Sequence, residues 1–212
     1  MQADYHELNK LLGNIDIYLF DQILKGLFPP HYKILDTGCN DGRNLIYFLR
    51  NNYEAYGIDL DEEAIQMLRH IARSIDKSCP VKDRFVVGDV KNMPFAHEQF
   101  DAIVSSAVMH FAESEEHFLA MFQELTRVLK PEGVLFVRMT TDLGMSGQIK
   151  SLGNGRYLLP DGSERFLLSK TLLQQVMSRF GYQLAEPFKT VIIENQRSMS
   201  AFILRKTTLS ST

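Results

Sequence analysis

The chain has 212 residues, of which 45% are hydrophobic and 23% charged, enough to fold as one domain with a sizeable apolar core. Its formal net charge is -3 and its basic residues are scattered among acidic ones, so we expect no nucleic acid partner. No stretch reaches the roughly 20 apolar residues of a membrane-spanning helix, and residues 1–10 are polar where a signal peptide needs an apolar core. We therefore expect a cytoplasmic protein that binds no membrane. Cys39 and Cys79 lack the spacing of zinc or redox sites, so we expect neither a metal nor a disulfide.

The first thirty residues are predicted to form helices. Apolar residues recur at helical spacing over residues 5–28, and Pro29 and Pro30 stop the pattern. We interpret residues 1–30 as an N-terminal helical lid of one or two helices, and residues 31–212 as the main domain.

Strands and helices alternate through the main domain. A short strand (32–36), a glycine-rich turn and a helix around residues 45–49 come first. The same pattern continues in strands predicted at 55–59, 84–88, 100–105 and 134–139, with helices at 61–76 and 115–129. Such alternation predicts a parallel sheet with helices on both faces, which binds ligands at the carboxyl ends of its strands.

The end of the chain departs from this alternation. After a predicted helix at 169–180, β-like stretches occupy residues 188–193 and 199–204. Only about five residues separate them, too few for a parallel crossover, so we predict an antiparallel hairpin. The predicted fold is a Rossmann-like doubly wound α/β sheet, mostly parallel, with an antiparallel C-terminal hairpin and an N-terminal helical lid.

The strongest local signal is the turn at residues 36–42, Asp-Thr-Gly-Cys-Asn-Asp-Gly, which leads a strand into a helix. Gly38 and Gly42 permit positive φ and close approach of the backbone to a ligand, while the helix start presents free amide groups. A tight turn with nothing bound is the simpler alternative.

Two acids follow later strands. Asp59 ends the second strand about twenty residues beyond Gly38, where an acid can accept hydrogen bonds from ribose hydroxyls. Its alternative role is to cap the helix that starts near residue 61. Asp89 follows the third strand and has the position to hold an adenine amino group, or to stabilise a turn.

Five motifs together resemble the class I S-adenosylmethionine-dependent methyltransferases of the bacterial small-molecule type. They occupy residues 36–42, 57–60, 88–95, 100–106 and 128–135, and the resemblance covers residues 30–140 and 180–206. The middle glycine of the family's turn is Asn40 here. Asn tolerates a left-handed backbone better than other residues except glycine, so we expect the turn to survive.

The resemblance implies S-adenosylmethionine as the cofactor, bound by a set of residues around the strand ends. The set is Asp36, Gly38, Asn40, Gly42, Asp59, Leu60, Asp89, Val90 and Ser105. Asp36 is expected to orient the amino group, Asp59 the ribose, and Ser105 to offer its carbonyl near the sulfonium. The same resemblance assigns Leu60 and Val90 to the nucleoside, although both are equally compatible with ordinary core positions.

Three further features bear on the methyl acceptor. His110 lies just past the fourth strand, where it can serve as a general base or simply be packed. The glycine-rich segment 140–165 is predicted to be an insertion that shapes the acceptor site. Arg138 is expected to meet an anionic acceptor or to pair with a surface acid.

The predicted activity is methyl transfer to a small-molecule acceptor by in-line displacement, carried out by a monomer or homodimer. Two alternatives remain at this point. A non-catalytic module that binds S-adenosylmethionine has the same pocket without an acceptor site. An NAD(P)-dependent oxidoreductase requires Gly-x-Gly-x-x-Gly, whereas residues 38–43 read Gly-Cys-Asn-Asp-Gly-Arg.

Overall fold

A computed structural model describes residues 4–208 of the chain. The N-terminal part forms two short helices, α1 (Tyr5–Leu12) and α2 (Ile17–Leu24). Each begins at an aspartate whose carboxylate accepts hydrogen bonds from the first free amides, Asp4 in α1 and Asp16 in α2. The sequence predicted one or two helices here, and the structure has two.

Five parallel strands form the centre of the main sheet, in the spatial order β3-β2-β1-β4-β5. Their bounds are β1 Lys33–Thr37, β2 Glu54–Asp59, β3 Phe85–Val87, β4 Phe100–Ser106 and β5 Leu129–Thr140. The helices that follow along the chain are α3 Ile46–Arg50, α4 Glu62–Ile75, α5 Val81–Arg84, α6 Glu115–Val128 and α7 Lys170–Phe180, with a 3-10 turn at Met109–Phe111. The predicted doubly wound parallel sheet is confirmed.

Two boundaries differ from the sequence prediction. The one-turn helix α5 directly precedes β3 and was not predicted, because four residues are too few to show helical periodicity. Strand β5 begins at Leu129 rather than near residue 134, and its pairing with β4 shifts register between Phe100 and Ala102. Glu132 has a positive φ of 60° in this irregular stretch, which the sequence pattern does not distinguish from a loop.

The predicted C-terminal hairpin is confirmed. Strands β10 (Lys189–Ile193) and β11 (Arg197–Lys206) pair antiparallel, and β11 lies between β10 and β5. A short strand β9 (Tyr182–Leu184) also pairs with β11 and was not predicted. It has only three residues, so it shows no alternating pattern.

A second, three-stranded antiparallel sheet occupies the segment predicted as an insertion. Its strands are β6 (Lys150–Gly153), β7 (Arg156–Leu158) and β8 (Glu164–Phe166). Phe166 anchors this sheet to the main domain, because its ring stacks on Phe118 of α6 at a centroid distance of 4.9 Å.

Apolar layers cover both faces of the main sheet. Neighbouring residues of β1 point to opposite faces, Ile34 into the layer with α3 and α4 and Leu35 into the layer with α6 and α7. Leu19 of α2 is fully buried in the layer on the Ile34 face, so α2 is packed on the domain, whereas α1 has no buried residue. Among residues 4–208, no helix has both the length and the apolar character needed to cross a bilayer.

The strand order reverses between β1 and β4. Chain connections leave in opposite directions from these two strands, which opens a crevice at their carboxyl ends. The residues at that edge are Thr37 of β1 and Ser106 of β4.

Candidate functional site

A cavity of about 550 Å³ opens at the carboxyl ends of β1, β2 and β4, and we call it the first cavity. Six of the nine predicted cofactor residues line it: Gly38, Asn40, Asp59, Leu60, Asp89 and Val90. The volume lies within the roughly 300–1,000 Å³ typical of ligand pockets. Three loops that are distant in sequence therefore meet at one place.

Gly38 makes the tight bend at the end of β1. Its φ is +67°, and its backbone amide donates a 2.8 Å hydrogen bond to the carbonyl of Ile58. A Cβ at this position would lie 2.1 Å from Cγ2 of Val108, which itself lines the first cavity. Both the conformation and the space therefore require glycine.

Asp59 holds the glycine-rich turn against the end of β2. Its carboxylate accepts hydrogen bonds from the backbone amides of Asn40 (2.8 Å) and Asp61 (3.0 Å). Asn40 adopts the left-handed conformation with a φ of 46°, as expected from its tolerance of that region. Asp61, and not Asp59, is the N-cap of α4. Asp59 is partly exposed, and each of its oxygens keeps a lone pair for a ligand.

The three other predicted residues of the first cavity have different environments. Leu60 is 71% exposed and therefore outside the core. Val90 is buried and belongs both to the core and to the cavity wall. Asp89 accepts a 3.0 Å hydrogen bond from the amide of Lys91 and pairs with its ammonium at 3.3 Å, so it also stabilises its own turn.

Three predicted cofactor residues lie outside the lining of the first cavity. Gly42 has a φ of +89°, and a Cβ there would lie 2.4 Å from Cδ1 of Leu68 in α4, so this glycine permits helix packing. Ser105 is fully buried in β4, whereas its neighbour Ser106 lines the cavity. The third is Asp36.

Asp36 is a buried acid behind the glycine turn. It is 1% exposed, and neither carboxyl oxygen has a hydrogen-bond partner within the described part of the chain. Burial raises the pKa of Asp36 well above its usual range, nearby Asp59 and Asp16 raise it further, and Arg43 opposes them. An uncompensated buried acid is costly in a folded protein and is typical of functional sites.

Several lining residues were missed by sequence reasoning. Most follow β4 or lie on α6, among them Ala107, Val108, Glu113, His117 and Met121. Ala107 has a positive φ of 63°, which is strained for a residue with a Cβ. The signal available in the sequence was the position of these residues after a strand at the sheet's ligand-binding edge, but their residue types carry no motif.

A second cavity of about 320 Å³ adjoins the first and shares Ala107 and Phe111 with it. Three arginines from separate strands line it: Arg138 of β5, Arg165 of β8 and Arg197 of β11. Its wall thus includes the end of the insertion predicted to shape the acceptor site.

His110 lines the second cavity and not the first. The residue is 6% exposed, and its Nδ1 atom has no hydrogen-bond partner among residues 4–208. The pKa of His110 is lowered from 6.5 to about 4. Burial is the largest cause, and the positive charges of Arg165, Arg138 and Arg197 contribute the rest. At neutral pH the imidazole is uncharged.

A buried aspartate connects the two cavities. The carboxylate of Asp16, at the start of α2, accepts hydrogen bonds from Ser106 Oγ (2.8 Å) and Arg138 Nη1 (3.1 Å). Ser106 lines the first cavity and Arg138 the second. The predicted alternative for Arg138, an ion pair with an acid, is therefore present, although the acid is buried and belongs to the N-terminal helices.

Comparisons with known proteins agree with this architecture. Residues 35–137 match the family model described as a methyltransferase domain. A phthiotriol/phenolphthiotriol dimycocerosates methyltransferase from Mycobacterium ulcerans is 31% identical over 121 residues, which is 55% of this chain and 40% of that protein. A tRNA (carboxymethyluridine(34)-5-O)-methyltransferase from Arabidopsis thaliana is 32% identical over 110 residues, 51% of this chain and 24% of that protein. The chain thus spans less than half the length of these relatives.

A solved structure extends the similarity in fold over most of the chain. The S-adenosylmethionine-dependent methyltransferase from Methanosarcina mazei superposes with a TM-score of 0.69 at 19% identity, covering 87% of this chain and 97% of that one. The matched segment 35–137 contains the glycine turn, Asp59, Asp89 and the loop after β4. By these matches, residues 35–137 are similar to a methyltransferase domain, and most of the chain shares the fold of an S-adenosylmethionine-dependent methyltransferase.

Proposed function

We propose that this protein transfers a methyl group from S-adenosylmethionine to a small-molecule acceptor by in-line displacement. The observation that carries the proposal is the convergence of Gly38 and Asp59 on one cavity at the point where the strand order reverses. An adjoining cavity supplies a separate place for an acceptor.

The residues of the first cavity fit the parts of this cofactor. The carboxylate of Asp59 is suited to accept hydrogen bonds from ribose hydroxyls, and the exposed side chain of Leu60 gains a partner if a nucleoside covers it. Asp89 and the amide of Val90 lie where a polar base edge can be read. The partnerless carboxyl of Asp36 supplies negative charge close to the site of a cationic ligand.

When bound, the cofactor supplies a methyl group on a positively charged sulfur, which is the reactive electrophile. The protein's task is to align the acceptor atom with that group and to keep water out. Phe111 and Ala107 belong to the walls of both cavities, so they form the boundary at which an acceptor atom would meet the cofactor. This boundary is where alignment is decided.

His110 faces the acceptor side in this proposal. A neutral imidazole with a pKa near 4 is a weak base, so it is better suited to accept a hydrogen bond from the acceptor than to remove a firmly held proton. We keep His110 as a catalytic candidate in that restricted role.

A small acceptor is favoured over a nucleic acid by the size of the second cavity and by the net charge of -3. The similarity to a tRNA methyltransferase makes tRNA the main competing acceptor. A non-catalytic module that binds the cofactor is less favoured, since such a module has no need for the adjoining cavity. A monomer or homodimer and a cytoplasmic location remain part of the proposal.

Calorimetric titration with S-adenosylmethionine, S-adenosylhomocysteine and NAD tests the cofactor. We expect the first two to bind and NAD to give no heat. A screen with labelled cofactor over phenols, thiols, amines, carboxylates and tRNA with and without carboxymethyluridine then tests the acceptor. Absence of binding by both sulfur ligands contradicts the proposal, and methylation of tRNA alone would replace its small-molecule part.

A further inference from the structure

We propose that the second cavity binds a small organic anion, with its charged group held by Arg165 and Arg197 and its apolar part against Phe111 and Leu159. The inference names the class of acceptor and therefore rests on the proposed methyltransferase function.

The positive charge of the second cavity exceeds the negative charge around it. Arg138 is paired with Asp16 at 3.1 Å, and Arg197 lies 3.7 Å from Asp161. Arg165 donates to the backbone carbonyl of Glu164 at 2.7 Å and forms no ion pair with any acid of residues 4–208. No carboxylate stands among the described residues that line the cavity. One arginine charge is therefore left for a ligand.

The orientation of Arg165 places this charge at the cavity. Its guanidinium lies 4.9 Å from the centre of the ring of Phe111, a residue at the boundary with the first cavity. Phe111 is itself 62% exposed, a large value for an aromatic side chain within a folded domain. The pair presents an apolar surface and a cation next to each other.

The other polar groups of the wall are already in use or lack a partner. Thr140 Oγ1 donates to the carbonyl of Phe166 at 2.9 Å, and Ser163 Oγ donates to Asp161 at 2.6 Å. Nδ1 of the buried His110 and Nε of Arg138 have no partner within the described residues. Buried polar atoms are normally paired, so these two indicate that a ligand completes the site.

An organic anion fits better than a bare oxyanion because part of the wall is apolar. Leu159, Ile193 and Met199 face the cavity alongside Ala107 and Phe111. At about 320 Å³ the cavity is near the lower limit of ligand pockets, which favours a ligand about the size of a substituted ring.

Benzoate and benzamide are matched probes, because they share a shape and differ in charge. We expect calorimetric titration at pH 7.5, with S-adenosylhomocysteine bound, to show at least ten-fold tighter binding of benzoate than of benzamide. Inorganic phosphate, which lacks an apolar part, should bind more weakly than benzoate. Equal affinities for benzoate and benzamide would overturn the proposal, and phosphate binding as tightly as benzoate would overturn its apolar part.

Variants assign the effect to the cavity. Arg165→Met should weaken benzoate binding at least ten-fold and leave benzamide binding within two-fold, whereas Arg165→Lys should retain part of the benzoate affinity. Arg197→Met provides a second test if Arg165→Met folds poorly. Arg156→Met is the control, because Arg156 lies in the same small sheet and pairs with Glu164 outside the cavity. Unchanged benzoate affinity in both cavity variants contradicts the proposal.

Two results separate this inference from the proposed function. Binding of S-adenosylhomocysteine without preference for benzoate would reject the anion site and leave the methyltransferase proposal standing. Preference for benzoate in a protein that binds no S-adenosylhomocysteine would reject the methyltransferase proposal and leave the anion site standing. An NMR titration of His110, assigned with His110→Gln, adds an independent measurement: benzenesulfonate, which keeps its charge at this pH, should raise the pKa of His110 from about 4, because its charge offsets that of the three arginines.

Discussion

The two adjoining cavities are built in different ways. The first is formed by turns at the ends of parallel strands, and the carboxylates of Asp59, Asp89 and Glu113 are among its lining residues. The second is formed largely by side chains from β5, β8, β11 and the 3-10 turn, and its titratable lining residues are three arginines and His110. They share only Ala107 and Phe111 among the described residues.

This difference separates a cavity that the strand–turn–helix units of the fold dictate from a cavity that side chains of distant segments build. The backbone of a strand–turn–helix unit dictates where Gly38 and Asp59 lie, so the first cavity suits a ligand common to the family. The second cavity depends on side chains of β8, of the loop before it and of the terminal hairpin, which only tertiary packing brings together. Selectivity for the acceptor is therefore expected to reside in the second cavity.

The largest expected effect concerns Asp16, which joins the two cavities. Asp16→Ala leaves Arg138 without its buried partner, and breaking such a pair costs about 3–5 kcal/mol in unfolding free energy. Urea unfolding measures the loss. Asp4→Ala is the matched control, since Asp4 caps another eight-residue helix at an exposed site and should cost about 1 kcal/mol or less. Equal losses in the two variants would show that the connection is energetically unimportant.

The next effect tests the tight bend of the first cavity. Gly38→Ala should lower stability by about 2–4 kcal/mol, because the left-handed conformation and the contact with Val108 both oppose a Cβ. The displaced Val108 should also weaken binding of S-adenosylhomocysteine more than ten-fold.

Gly147→Ala is the control that separates the cost of the left-handed backbone from the cost of the contact with Val108. Its φ of +75° resembles that of Gly38, but no atom lies within 4 Å of the added Cβ. We expect about 1 kcal/mol of destabilisation and unchanged binding. A Gly38→Ala protein that resembles the Gly147→Ala protein in both measurements would remove the steric part of the explanation.

The third prediction concerns how His110, in the second cavity, makes the stability of the protein depend on pH. His110 has a pKa of about 4 in the folded protein and near 6.5 in the unfolded chain, so the unfolded state takes up the proton first as the pH falls. Stability from the neutral imidazole is present above pH 6.5 and is lost between pH 6.5 and 4. Wild type should lose about 2 kcal/mol more than His110→Gln between pH 7 and pH 5.

Asp36 changes the stability of the protein with pH in the opposite direction to His110. Its raised pKa means that the folded state holds the proton more firmly than the unfolded chain, so its contribution is present at low pH and is lost as the pH rises through the folded value. Comparison of wild type with His110→Gln removes this common background. Parallel pH profiles for the two proteins would contradict the assigned environment of His110.

The smallest expected effect concerns Asp59. Asp59→Ala should weaken S-adenosylhomocysteine binding more than ten-fold, about 1.4 kcal/mol or more, because the variant loses a charged acceptor and the support of the glycine turn. Asp61→Ala removes only the helix cap and should lower stability by about 1 kcal/mol with affinity retained within two-fold. Calorimetry and urea unfolding of both variants separate the two roles. Full affinity in Asp59→Ala would place the ribose elsewhere.

The sequence by itself determined the parallel sheet, the terminal hairpin and the meeting place of the glycine turn with Asp59. These features depend on local periodicity and on the spacing between chain segments, both of which can be read along the chain. The positive φ of Asn40 agrees with the left-handed turn expected from the sequence, and the exposure of Leu60 agrees with a position outside the core.

Only the tertiary structure decided which side chains meet beyond the strand ends. Asp16 reaches Ser106 and Arg138, 90 and 122 residues away along the chain, and the three arginines of the second cavity come from three separate strands. Strands β6 to β8 have three or four residues each and are stabilised by packing, as in the stacking of Phe166 on Phe118. Contacts between distant segments depend on the three-dimensional packing of the whole domain, and no local pattern encodes them.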